Sequence, residues 1–125
     1  MANNPVNWFE IYVDDIERAR GFYETVLGVE LSKLDTGDAN VPMWTFPGEQ
    51  GGAGANGSLI HMEGFKAGGN STLVYFSCED CATEEGRVQG AGGQVFKTKF
   101  SIGPYGFISL ATDTEGNMFG LHSMK

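Results

Sequence analysis

The chain has 125 residues, of which 41% are hydrophobic and 19% charged, the balance of one ordinary globular domain and not of a disordered segment. The net charge of −8 and the scattered Lys and Arg disfavour a nucleic-acid partner and an anionic membrane surface. No apolar run approaches the roughly 20 residues that span a bilayer. The opening MANNPVNWF lacks the basic and apolar regions of a secretory signal, so a cytoplasmic location is expected.

Val6 to Val13 (VNWFEIYV) is β-branched and aromatic and predicts a strand. Asp14 or Asp15 then caps a helix, on which Ile16, Ala19, Phe22, Tyr23, Val26 and Leu27 share one face. Asp15, Glu17 and Arg18 read as cap and exposed decoration of the helix start, and Gly28 ends it. Val29 to Leu34, Pro42 to Phe46 and Ser58 to Met62 read as strands, with Gly48 to Gly57 a loop. The order then repeats. Thr72 to Cys78 is a strand, Cys81 to about Ala91 a helix, and Gln94 to Thr98, Phe107 to Ala111 and Asn117 to His122 are strands.

The halves align at an offset of 65 through the strand–helix–strand region, pairing Trp8 with Leu73, Glu10 with Tyr75 and Gly28 with Gly93. In the last strand of each half an offset of 59 pairs Gly57 with Gly116 and His61 with Gly120. Cys78 and Cys81, a C-x-x-C pair, fall on Val13 and Ile16 and so read as core residues. A zinc site would need two more ligands, and a redox pair is the other sharp reading. The expected fold is α+β, a single domain over 1–125. Two tandem βαβββ modules, about 5–65 and about 70–124, form a curved mixed sheet around a central cleft.

Alternate strand residues face opposite sides of a sheet. Phe9, Ile11 and Val13, like Val74, Phe76 and Cys78, suit a face covered by helices. Trp8, Glu10 and Tyr12, with Leu73, Tyr75 and Ser77, are aromatic and polar together, which suits a small-molecule cleft. The expected ligand-binding residues are Trp8, Glu10, Tyr12, Trp44, His61, Leu73, Tyr75 and His122. Ser101 to Tyr105 (SIGPY) would form a lip of this cleft. Glu10, His61 and His122 could instead hold a divalent ion or act as acid and base.

The run FEIYVDDIERARGFYETVLGVEL resembles the first-module signature of the vicinal oxygen chelate superfamily, which includes glyoxalase I, bleomycin-resistance proteins and extradiol dioxygenases. YFSCEDC, GAGGQV and FISLATDTEGNMFGLH resemble its second module, with Thr114 where Pro is usual. The resemblance implies paired modules around a cleft and a homodimer. It also implies metal ligands at Trp8, His61, Leu73 and Gly120, of which His61 alone is a donor. The expectation is therefore a small-molecule-binding protein with no metal cofactor, glyoxalase I activity being disfavoured. The rival is a metal-dependent lyase, isomerase or dioxygenase using Zn, Mn, Ni or Fe at Glu10, His61 and His122. A third reading is an interaction protein with a vestigial pocket.

Overall fold

The computed structural model describes residues 4, 6–49 and 51–125. Pro5, where the first module was expected to begin, and Gln50 of the Gly-rich loop lie outside the described residues. The first half runs β1 (Trp8–Tyr12), α1 (Ile16–Leu27), β2 (Ser32–Leu34), β3 (Met43–Thr45) and β4 (Asn56–Ile60). The second runs β5 (Tyr75–Ser77), α2 (Cys81–Val88), β6 (Gln94–Ser101), a 3-10 turn (Gly103–Tyr105), β7 (Phe107–Thr112) and β8 (Met118–Ser123).

Each half makes its own four-stranded mixed sheet, in the orders β1-β4-β3-β2 and β5-β8-β7-β6. In each, the first strand runs parallel to the last and the other pairs are antiparallel. The architecture is α+β with two tandem modules. It has two open sheets where one continuous sheet was expected.

Local chemistry sets the helix ends. The Asp15 carboxylate accepts from the Arg18 N–H at 3.1 Å, and Asp80 accepts from the Ala82 N–H at 3.0 Å, satisfying N–H groups the first turn leaves free. Gly28 closes α1 at φ 67°, a conformation cheap for glycine. The second helix stops at Val88, three residues earlier than its sequence suggests.

Both helices pack on the same side of their sheets and against each other, giving one shared core. The fully buried Tyr23 ring lies 5.6 Å from Phe46, 5.8 Å from Phe76 and 5.5 Å from Phe119. Phe9 meets Phe76 at 6.0 Å, so aromatics of both modules interlock. Burying each such ring contributes roughly 1.5–3 kcal/mol. Cys81 is fully buried in this core.

A polar knot on the β7–β8 turn also joins the modules. Glu115 accepts from Arg18 Nε (2.6 Å) and Nη2 (2.8 Å), and from the amides of Asp14 (3.1 Å) and Asp15 (2.9 Å). Arg18 is therefore an inter-module anchor and not mere surface decoration. Asp113 accepts from Tyr23 OH at 2.6 Å, and Asn117 Nδ2 donates to the Tyr12 carbonyl at 3.0 Å.

The ladder register corrects the repeat alignment in the last strands. Glu10 stands opposite Ser58, and its repeat partner Tyr75 stands opposite Gly120. Ser58, not His61, is thus the counterpart of Gly120. Matching glycines suggested the other offset, but backbone hydrogen bonds define the pairing.

Candidate functional site

Among the described residues, no helix or strand covers the side of each sheet away from the helices. On β1 it presents Trp8, Glu10 and Tyr12, as strand alternation requires. The three are joined along the strand. Trp8 Nε1–H donates to one Glu10 oxygen at 3.2 Å, and Tyr12 OH donates to the other at 3.0 Å. Burial, followed by the Glu10 hydrogen bond and charge, pushes the Tyr12 phenol up, so it stays a donor at neutral pH. The far side of Tyr12 stacks on Phe65, with centroids 5.3 Å apart.

Two hollows border this strip. Trp8, 40% exposed, walls a cleft of about 910 Å³ beneath the Gly-rich loop, with Asn7, Pro47, Glu49 and Asn56. Glu10 reaches a smaller cavity of about 190 Å³ at the seam between modules, bordered by Phe9, Val74, Asn117 and Met118. The first volume lies within the range of small-molecule sites, and the second is below it.

In the second sheet Tyr75, 46% exposed, lies across Gly120, where any added Cβ would strike its ring. His122 shares that side and holds the 3-10 turn, its Nε2 2.7 Å from the Tyr105 carbonyl oxygen. The SIGPY segment is thus tied to β8. Leu73 precedes β5, with its side chain exposed.

Six of the eight sequence-derived candidates, Trp8, Glu10, Tyr12, Leu73, Tyr75 and His122, fall on the helix-free side. Two do not. Trp44 pairs in register with Leu59 on the helix side, and the Arg20 guanidinium sits 4.2 Å over its ring. His61 follows β4 on the side of Leu59, with Nδ1 2.9 Å from the Val13 carbonyl oxygen. Trp44 thus belongs to the packing of α1 on its sheet, and His61 is held to the chain just after β1. Glu10, His61 and His122 are accordingly not gathered, and no group of three His, Cys, Asp or Glu among the described residues could hold a metal ion.

The positions that the resemblance assigns to a metal do not fit one. Trp8, Leu73 and Gly120 offer no donor, and the register puts Ser58 where His61 was expected. Ser58 Oγ is buried without a hydrogen-bond partner. Both cysteines are free, and burial, then the charge and hydrogen bond of Glu84, push the Cys78 thiol up to about 12, which disfavours the thiolate that redox chemistry uses.

Sequence reasoning missed Ser58, Phe65 and the Arg18–Glu115 anchor. Alternation along β4 could have found Ser58, whereas nothing local marks Phe65 or a contact 97 residues apart.

Residues 6–45 match the family model described as bleomycin resistance protein-like N-terminal. No curated protein sequence matches the chain. Among solved structures, glyoxalase I from Zea mays is similar with a TM-score of 0.76 at 21% identity, over 96% of this chain and 46% of that one. The chain thus spans less than half of the maize protein. TnmS3, an antibiotic binding protein from Streptomyces sp. CB03234, is similar with a TM-score of 0.66 at 25% identity, over 98% of both chains. A glyoxalase/bleomycin resistance protein/dioxygenase family enzyme from Burkholderia phytofirmans PsJN is similar with a TM-score of 0.70 at 14% identity, over 95% of this chain and 98% of that one. These neighbours share the fold of the chain, with its paired βαβββ modules, and its first module is similar to the bleomycin resistance protein-like N-terminal family.

Proposed function

We propose that the protein binds and sequesters a small aromatic or amphipathic molecule on its helix-free face, without a metal ion. The carrying observation is the Trp8–Glu10–Tyr12 strip, with an exposed indole walling a 910 Å³ cleft. Such a mixture of aromatic surface and few oriented polar groups is what small-molecule recognition requires. The likeness to an antibiotic binding protein over 98% of both chains supports this reading. Among the described residues no group of three donors supports metal-assisted lyase, isomerase or dioxygenase chemistry.

A homodimer in the cytoplasm is the proposed working form. Leu34 and Leu73 leave apolar surface open on the helix-free side, and a second copy would cover it. Among the described residues, no helix is long and apolar enough to cross a membrane. The acidic surface argues against nucleic acid as partner.

Fluorescence titration against a panel of aromatic antibiotics and metabolites tests the binding role. Quenching that disappears in Trp8→Phe and persists in Trp44→Phe is expected. No response to any compound removes the proposal. Light scattering during size exclusion tests the dimer, and a monomer at micromolar concentration rules it out.

A further inference from the structure

We infer that Glu10 makes the site selective for a cation, the ligand being a planar aromatic body that bears a positively charged nitrogen. This rests on the small-molecule reading above and names its ligand class. Both Glu10 oxygens are oriented, yet their donors, an indole and a phenol, are neutral. The ion pairs among the described residues use Glu17, Glu24, Glu79, Asp80 and Glu115, and none uses Glu10. The carboxylate is therefore fixed in place with its charge uncompensated.

What surrounds it points the same way. Trp8, which hydrogen-bonds to Glu10, exposes aromatic surface beside it. Opposite Glu10 in the ladder stands Ser58, whose buried hydroxyl has no partner. A ligand that covers this strip strips water from the carboxylate. A neutral ligand leaves that cost unmet and an anion adds repulsion, whereas a cation offsets it and gains attraction from the indole face. The net charge of −8 draws a cation toward the whole molecule.

Three acridines of nearly one shape test the inference at pH 8 on the full chain, by calorimetry. N-methylacridinium is a fixed cation, acridine is neutral and acridine-9-carboxylate is an anion. The wild type is expected to bind the cation about tenfold tighter than acridine, and the anion weakest. Glu10→Gln should bring cation and neutral probe within about twofold, and circular dichroism unchanged from the wild type shows that the variant is folded. Tyr12→Phe, which keeps the charge, should keep the preference. Equal binding of the three probes by wild type overturns the inference, as does a preference that survives in Glu10→Gln. Acridine bound without charge discrimination removes the inference alone. No binding of any probe removes it together with the binding role.

Discussion

Two carboxylates, Glu115 and Glu10, sit at opposite kinds of site. The Glu115 side chain is fully buried at the seam and receives a guanidinium, two backbone amides and the Thr114 hydroxyl. Glu10 is exposed on the helix-free face and receives two neutral side chains. Burial alone would raise the Glu115 carboxyl. The hydrogen bonds from Arg18, Asp15 and Thr114, with the Arg18 charge, outweigh it and hold the group at about 2. A carboxylate so saturated has no capacity left for a ligand, and its work is to join modules. A carboxylate oriented without a counter-ion is open to one.

The largest expected effect is on the seam. Glu115→Ala strands the amides of Asp14 and Asp15 and should cost about 3 kcal/mol in urea denaturation, with acridine affinity unchanged. A loss confined to binding would invert the comparison. Acid should act at the same place. The Glu115 carboxyl lies below its ordinary value of 4.5, so its stabilisation is complete above that pH and is lost as pH falls toward about 2. Unfolding followed between pH 5 and 2 should show this slope, flattened in Glu115→Gln. Tyr23→Phe removes the only donor hydroxyl that α1 gives to Asp113 and should cost roughly 1–2 kcal/mol by the same measurement.

On the open face the effects on stability shrink. Glu10→Gln should change unfolding free energy by less than about 0.5 kcal/mol, since its partners remain hydrated. A larger loss would make Glu10 a structural residue and dissolve the contrast with Glu115. Ser58→Ala should be smallest in a thermal melt, about neutral, because it deletes a buried hydroxyl that makes no bond.

Much of this was readable before any coordinates. The cap at Asp15, the stop at Gly28 and the buried stripe of α1 are local signals, and the structure has them. The mixed face of β1 follows from alternation alone. What failed was relational. Trp44 and His61 were assigned by residue type, but their faces depend on ladder register, which a short strand of three residues scarcely encodes. Arg18 reads as surface until the β7–β8 turn arrives beside it. Matching Gly57 to Gly116 misled for a similar reason. Gly57 is needed where the Phe9 backbone and ring press on it, whereas Gly116 serves a turn at φ 82° with open space around it. Identical letters answered different physical demands.

Finally, the two sheets keep separate hydrogen-bond ladders. A change of residue on one ladder does not oblige the other to re-register, because side chains and turns, not shared strands, connect them. After a duplication, either half can then drift in chemistry while its twin preserves the scaffold. The charged strip of β1 and the ring-covered glycine of β8 are such a divergence, held in one backbone plan.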